Sequence, residues 1–206
     1  SFPGGITLRN AEETIIASLT EGGIILFVSA KNKTNSTPLQ NVEFLVLDEQ
    51  NQKIATQTTN FSGDVEFPGL NQTKDYWVLA FHPNYFPERV NVEWASLPES
   101  DGKKTLGLLL TPITTEQSGT IVIFVSENNG KAANDATLTI WERGEGDVLF
   151  PYVYEQHTDV GGSFTLRVPL GKTILVEAEK GGVSDSEELT VAAGLNKLTL
   201  TLNGGL

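Results

Sequence analysis

The chain has 206 residues and a formal net charge of −12, from 26 acidic and 14 basic side chains. Nucleic-acid backbones and anionic membranes are bound through basic patches, so we expect neither as a partner. The lack of cysteine excludes disulfides, thiolate metal sites and thiol nucleophiles. No apolar run approaches the ~20 residues that span a bilayer, so no membrane insertion is expected.

Residues 1–20 form an N-terminal extension that precedes any repeated pattern. We expect it to follow a processed or excised start, because the chain contains no methionine. Apolar residues alternate with polar ones in two stretches, at Ile6 and Leu8 and again at Ile15, Ala17 and Leu19. The first stretch predicts a strand over 5–9. The second stays open between a strand and a short helix capped by Asn10 and Glu13.

A turn sequence occurs twice, at 59–67 and again 99 positions later at 158–166. Each copy has a threonine (Thr59, Thr158), an Asn or Asp, a glycine (Gly63, Gly162) and then apolar/polar alternation. This pattern predicts a strand end, a tight turn in which the glycine takes a positive φ, and a second strand.

The residues around the two turns also match in order, which predicts two copies of one β-domain. The apolar run 24–29 corresponds to 121–126, and such unbroken runs favour strands that are buried on both faces or cross between sheets. Each half ends on alternating leucines, at 106, 108 and 110 and at 198, 200 and 202. We predict an all-β fold of two tandem Ig-like antiparallel β-sandwiches, each with seven strands. The boundaries are 1–20 for the extension, 21–112 for the first sandwich, 113–118 for a linker that tethers two beads, and 119–206 for the second sandwich.

The second half resembles the transthyretin-like, carboxypeptidase-regulatory-like group of Ig-like sandwiches. The resemblance lies in the segments 119–121, 130–131, 136–138, 158–162 and 168–172. The first half resembles the Cna-B type of the same superfamily, through 38–44, 59–67, 69–76 and 83–85. This resemblance implies an extracellular or cell-surface setting, in which tandem modules form pilus shafts, adhesins or accessory domains of secreted enzymes. It also implies a Lys–Asn crosslink in many Cna-B modules, but Ser29-Ala30 and Ala80-Phe81 stand where its Lys and Glu are expected.

Few residues suggest chemistry. We interpret His82 and His157 as structural, because no second or third ligand or catalytic partner lies near either one in sequence. Acidic residues cluster at 142–147 and 185–188, for which solvated strand ends are the favoured reading and a weak calcium site the alternative. We therefore predict no catalytic residue, cofactor or metal site, and no enzymatic activity.

Aromatic residues concentrate between Tyr76 and Trp94. We interpret them as core plus one docking contact, since Trp77 is out of phase with Tyr76, and keep a sugar-binding surface as the alternative. Four N-glycosylation sequons begin at Asn32, Asn35, Asn60 and Asn71, as expected for a secreted glycoprotein.

Two functions fit these features. The first is a structural subunit of an extracellular, pilus-like filament whose partner is itself. Its extension would donate a β-strand, with Ile6, Leu8, Ile15 and Leu19 as anchors, to the next subunit in a head-to-tail contact that does not close. The alternative for residues 5–19 is that they pair with the edge of their own first sandwich or with the domain junction. The alternative is a monomeric cell-surface adhesin or carbohydrate-binding accessory module whose partner is a surface glycan.

Overall fold

The computed structural model describes residues 23–203, and nearly all regular structure in this part of the chain is β-strand. The first half contains β1 (Ile24–Asn32), β2 (Glu43–Asp48), β3 (Lys53–Thr58), β4 (Asp64–Leu70), β5 (Tyr76–His82), β6 (Tyr85–Asn91), β7 (Glu99–Ser100) and β8 (Lys103–Leu110). The second half contains β9 (Ser118–Glu127), β10 (Thr137–Arg143), β11 (Leu149–His157), β12 (Ser163–Pro169), β13 (Thr173–Lys180), β14 (Val183–Thr190) and β15 (Gly194–Leu202). Short 3-10 turns occupy Thr115–Gln117 and Glu145–Asp147.

Each half is a sandwich of two sheets. The first has the strand orders β4-β1-β8-β7 and β3-β2-β5-β6, and the second has β12-β9-β15 and β11-β10-β13-β14. The predicted all-β fold of two sandwiches is therefore confirmed. Two details differ from the predicted antiparallel sandwiches of seven strands. β1 pairs with β8, and β9 with β15, in parallel. The first sandwich also contains an additional short strand, β7, among its described residues.

Each sandwich has its own hydrophobic core, which includes the apolar residues that were predicted to alternate inward along the strands. In the first, Val42, just before β2, and the alternating β2 residues Phe44 and Val46 are fully buried, and the leucines of β8 pack in the same core. The second core is built in the same way from β10 and β15.

The strands buried on both faces are not the predicted ones. In β1, Leu26 and Val28 are buried while the intervening Ile25 and Phe27 are only half-buried, so one face meets the core. β2 is the strand that is enclosed on both sides, since Leu45 and Leu47 are as buried as their neighbours. The reason is tertiary: the second sandwich covers this outer face.

The repeated turn has the predicted glycine conformation, with φ of 79° at Gly63 and 69° at Gly162. A Cβ at Gly162 would lie 2.5 Å from the carbonyl oxygen of Val125, so the position needs glycine for space as well as for φ. The turn does not close a hairpin. It carries the chain from β3 to β4, and from β11 to β12, which belong to opposite sheets of each sandwich.

The threonine that begins each turn is buried and fully hydrogen-bonded. The Thr158 hydroxyl donates to the carbonyl of Ala133 (2.6 Å) and accepts the N–H of Ala136 (2.9 Å). Thr59 makes the same pair of bonds, at 2.7 Å and 2.9 Å, to the backbone before β2. Each threonine thus links the two crossovers between the sheets of its sandwich, β3 to β4 with β1 to β2 in the first half and β11 to β12 with β9 to β10 in the second. This shared role explains why both halves carry it.

Candidate functional site at the junction and the free edge

The predicted donor positions Ile6, Leu8, Ile15 and Leu19 lie outside the described residues. Donation of a strand by the extension therefore stays a prediction. What the structure describes are the surfaces that could receive such a strand, the contact between the two sandwiches, and the other predicted site residues.

Three sequon asparagines, Asn35, Asn60 and Asn71, lie in turns or loops of the first sandwich, and Asn32 is the last residue of β1. The Oδ1 atoms of Asn35, Asn60 and Asn71 accept the N–H of the residue two positions later, at 3.1, 2.8 and 2.9 Å, and their side chains are exposed. Asn32 accepts the N–H of Thr34 in the same way, at 2.8 Å, but it is half-buried and its Nδ2 donates to the Tyr85 hydroxyl at 3.2 Å.

The histidines occupy unrelated places. The Nδ1 of His82 accepts the N–H of Asn84 at 3.1 Å, and burial lowers the His82 pKa below its ordinary value. His157 lies exposed, with Nδ1 3.2 Å from a carboxylate oxygen of Asp135.

Three carboxylates of the two acidic clusters have partners of their own. Glu142 pairs with Lys172, and Glu188 pairs with Arg143. Asp185 accepts the N–H of Thr201 at 2.8 Å. Within residues 23–203, no group of three or more His, Asp or Glu side chains is placed to hold a metal ion.

The aromatic residues divide between the core and the junction. Tyr76 and Trp94 are buried and meet edge to face, with ring centroids 6.0 Å apart. Trp77 points the other way along β5 and faces the second sandwich, in line with the predicted division into core and docking contact.

An apolar contact joins the two sandwiches. Leu45, Leu47 and Leu79, from the outer face of the β2–β5 pair, are at most 2% exposed and pack with Trp77 and with Tyr154 of β11. This contact explains why β2 and β5 are apolar on both faces. The two sandwiches are thus packed against each other, which differs from the predicted picture of tethered beads.

A stacked arginine completes this junction. The guanidinium of Arg89 on β6 lies 3.6 Å from the ring centroid of Trp77 and 4.6 Å from that of Phe150 on β11. Both distances are within the range of a cation–π contact. Burial lowers the Arg89 pKa, but a guanidinium stays charged at any physiological pH.

Polar contacts surround the junction. Lys53 forms an ion pair with Glu155 of the second sandwich, and Gln156 donates to Glu43 at 3.2 Å. The connecting segment is also held, because Ile113 donates its N–H to the carbonyl of Asn84 at 3.0 Å. The relative position of the sandwiches is therefore set by packing as well as by the linker.

Beside the stacked arginine lies a cleft of about 390 Å³. It is lined by Trp77, Arg89, Phe150, Tyr152 and the Glu142–Lys172 pair. Tyr152 is 6% exposed, and its hydroxyl has no hydrogen-bond partner among the described residues. Burial, and then the nearby Glu142 charge, raise the pKa of Tyr152, so the phenol stays protonated and can donate.

The second sandwich leaves one long strand edge open. β15 pairs with β9 on one side, and no described strand pairs with its other side. The core-facing positions Leu198, Leu200 and Leu202 are buried, while Leu195 is 61% exposed. In the described part of the chain, no helix is long and apolar enough to cross a membrane.

Comparison with known proteins gives only remote likeness. No protein-family model matches the chain, and no curated protein does. Among solved structures, the Bacillus anthracis TIE protein is 16% identical, with a TM-score of 0.37, and the match covers 87% of this chain and 34% of that one. The chain thus spans about a third of that protein's length.

Two pilins match over their whole length. The shaft pilin SpaA from Lactobacillus rhamnosus GG is 12% identical, covers 91% of this chain and 100% of the pilin, and has a TM-score of 0.33. The minor pilin GBS52 of Streptococcus agalactiae is 12% identical, covers 89% and 97%, and has a TM-score of 0.35. These scores are low, so the fold rests on the strands of this chain and the likeness is carried no further.

Proposed function

We propose that the protein is a structural subunit of an extracellular filament, assembled head-to-tail when the N-terminal extension donates a β-strand to the neighbouring subunit. The observation that carries this proposal is the open edge of β15, combined with an alternating apolar pattern in the extension. Unpaired strand edges take up added strands readily, and a contact between different surfaces of identical subunits repeats without closing.

The packed junction supports the same role. A filament transmits force through each subunit, so its two sandwiches need a fixed relation. The apolar contact at Leu45, Leu47 and Leu79 and the stacked Arg89 supply it.

Negative-stain electron microscopy tests the proposal. The intact chain is compared with a version that lacks residues 1–20 and with a variant in which Ile6, Leu8, Ile15 and Leu19 are all changed to serine. A matched control changes the alternating polar positions Thr7 and Thr14 to serine. We expect filaments from the intact chain and the control, and dispersed particles from the other two. Dispersed monomers in every sample would contradict the proposal.

An extracellular setting adds a second proposal, that Asn35, Asn60 and Asn71 carry N-glycans. These side chains are exposed at turns. Asn32, also predicted from its sequon, is expected to be modified less, because a glycan on its Nδ2 competes with the bond to Tyr85. Site occupancy by mass spectrometry of the protein from its natural source checks this, and full occupancy at Asn32 alone would refute it.

A monomeric glycan-binding module is the second candidate function, favoured by the unpartnered Tyr152 hydroxyl in the junction cleft. A buried hydroxyl without a partner is costly, and a ligand hydroxyl would satisfy it. Against it, Arg89 already covers the Trp77 ring. Glycan-array binding by the intact chain, lost on Tyr152→Phe, would support this candidate, and an array without binding would remove it.

A further inference from the structure

The four sheets expose eight strand edges among the described residues, and most of them are unsuited to take an added strand. Each sheet ends in two edge strands. Four of these, β4, β6, β11 and β12, contain proline, at Pro68, Pro87, Pro151 and Pro169. Proline cannot donate to a new ladder, and it is a common device for protecting an edge.

Three further edges are protected by length or charge. β7 has only two residues. β14 carries Asp185, Glu187 and Glu188, which repel an acidic partner. β3 has six residues, and Lys53 at its start is paired with Glu155 of the second sandwich. Only β15, with nine residues, is long and free of both proline and carboxylates.

The backbone of β15 shows which groups face outward. The N–H of Thr201 donates to Asp185 of β14, so it points away from β9. Successive residues of a strand direct their N–H and C=O groups to alternate sides. The backbone groups of Leu195, Lys197 and Thr199 therefore also point outward, and among the described residues they have no backbone partner. Asp185 thus occupies this edge at Thr201, near the C-terminal end of β15, and β14 lies beside β15.

The first sandwich shows that this position accepts a strand. There the equivalent strand, β8, carries β7 on its outer side, with Ser100 opposite Lys103 and Glu99 opposite Lys104. In the register of the two parallel pairs, Lys103 lies opposite Ile25 and Lys197 opposite Val122. Since 24–29 and 121–126 are the matching runs of the repeat, Lys197 occupies the place of Lys103. The second sandwich lacks the strand that the first one supplies.

Residues 1–22 have the length and composition to fill this place. Extended, 22 residues reach up to about 70 Å, whereas nine residues of β15 need about 30 Å. If Ile15, Ala17 and Leu19 face the core side, they match the alternation of Leu198, Leu200 and Leu202. The charges also fit, because Lys197 is the one charged residue of β15 and Glu12 and Glu13 precede the second apolar stretch.

The position of the start of β1, which residues 1–22 precede, favours strand addition to a second copy over addition to the β15 edge of the same chain. The end of β1, Asn32, pairs with Leu110, which leads into the connecting segment. The start of β1 is therefore about 25 Å away, at the end of the first sandwich opposite the connection. The β15 edge of the same chain lies on the side of the second sandwich that faces away from the first, because β12, at the opposite edge of the same sheet, is the strand that contacts β6. Only residues 20–22 separate the proposed strand from the described chain, a span of about 10 Å, so a second copy is better placed to bring its β15 edge to the start of β1.

We propose that the outer edge of β15 is the acceptor at which residues 5–19 of a second copy of this chain add a β-strand. This proposal rests on the filament function above and adds the surface that receives the donated strand.

Disulfide trapping tests it cleanly, because the chain contains no cysteine. Lys197→Cys is combined in turn with Thr14→Cys, Ile16→Cys or Ser18→Cys, which alternate with the apolar positions and so share the outer face with Lys197. Directly opposed residues have Cβ atoms about 4.5–5.5 Å apart, close enough for a disulfide after a small adjustment. The matched control places the acceptor cysteine on the neighbouring edge, at the exposed Glu187.

We expect at least one Lys197 pairing to give a ladder of covalent dimers, trimers and longer chains on a non-reducing gel, and the Glu187 controls to stay monomeric. Filaments that crosslink through Glu187, or through no β15 position, would overturn the β15 assignment and leave the filament function standing. A disulfide formed only within one chain would also overturn it. Neither filaments nor crosslinks would remove both proposals.

A proline variant gives an independent measurement. Thr199→Pro removes an outward-pointing N–H without breaking the ladder to β9, so the fold is kept while an added strand loses a bond and meets the ring. Ser186→Pro is the control on β14, since the Ser186 N–H donates to the Asp185 side chain at 2.9 Å. We expect filaments to be lost in the first variant only, with circular dichroism unchanged in both. Undiminished filaments from Thr199→Pro would refute the proposal.

Discussion

The buried threonine of the repeated turn allows a sharp test of how the sandwiches are held together. Thr158 is 4% exposed, and its hydroxyl both donates to Ala133 and accepts from Ala136. Thr158→Val keeps the shape of the side chain but leaves both backbone groups without this partner. A buried polar group that loses its hydrogen bond costs about 1–3 kcal/mol, so we expect the variant to lose about 2–4 kcal/mol of unfolding free energy.

Thr158→Ser is the matched control, because it keeps the hydroxyl and removes one methyl group, at about 1 kcal/mol. Urea unfolding is followed by circular dichroism and by tryptophan fluorescence, to which Trp141 contributes the signal of the second sandwich. With a slope of about 2 kcal/mol per molar urea, the valine variant should shift the midpoint down by about 1–2 M, and the serine variant by about 0.5 M. A valine variant as stable as the serine variant would refute the assigned role of the hydroxyl.

The repeat supplies an internal replicate. Thr59 has the same two bonds in the first sandwich, with the same geometry. Thr59→Val should therefore cost a similar amount, within about 1 kcal/mol, and act on the transition reported by Trp94. A large effect in one sandwich and none in the other would show that the same hydrogen-bond geometry does not make the same contribution to stability.

Three further predictions concern the turns and the junction. Gly162→Ala should lower the free energy of unfolding by more than about 2 kcal/mol, because its Cβ would contact the backbone and the residue has a positive φ. Gly181→Ala, where φ is 62° and no atom is close, should cost only about 1 kcal/mol. Equal losses in thermal melts would contradict this prediction. Hydrogen bonds, first from the Ser163 backbone, lower the pKa of Asp159, so its contribution to stability is present above pH 4 and is lost as pH falls through the lowered pKa. Asp159→Asn, which has the residue found at position 60, should flatten this acid dependence of the urea midpoint, and an unchanged pH profile would refute the assignment. Arg89→Lys removes a planar cation stacked on Trp77 and should weaken the contact between the sandwiches by about 1 kcal/mol. We expect the two sandwiches then to unfold in separate transitions. A single shared transition would show that the contact at Leu45, Leu47 and Leu79 is enough to hold the sandwiches together.

Local chemistry made much of the fold predictable. The alternation of β8, β10 and β15 corresponds to their buried faces, since side chains of a strand point to opposite sides in turn. The turn glycines were recognisable because few other residues tolerate a positive φ. Because the two halves match in order, each strand or turn assigned in one half could also be assigned in the other.

Other features were outside the reach of sequence patterns. The run 24–29 looked enclosed on both faces, yet its outer face is only half-buried, while β2, whose apolar run is shorter, is the enclosed strand. The position of the second sandwich, which covers the outer face of β2, accounts for this difference. The hydrogen-bonding role of Thr59 and Thr158 was likewise missed, although the repetition of a threonine at one offset was a usable signal.

The candidate site shows the same division. Trp77 was expected to make a docking contact because it lies out of phase with Tyr76, and it does pack against the second sandwich. Arg89, which stacks on Trp77, is 12 positions away in sequence, and Phe150, whose ring contacts the same guanidinium, is 73 positions away, so no local pattern links the three. The cleft with the unpartnered Tyr152 hydroxyl was invisible for the same reason.

The sequence by itself determined that this protein is two successive β-sandwiches joined in one chain, because strand alternation and turn chemistry are properties of neighbouring residues. Tertiary structure alone decided the rest: the parallel pairing of the first and last strands of each sandwich, the packing of one sandwich on the other, and the open edge of β15. Each of these depends on which distant segments meet, and the energy of such contacts comes from burial and backbone pairing that appear only when the chain has folded.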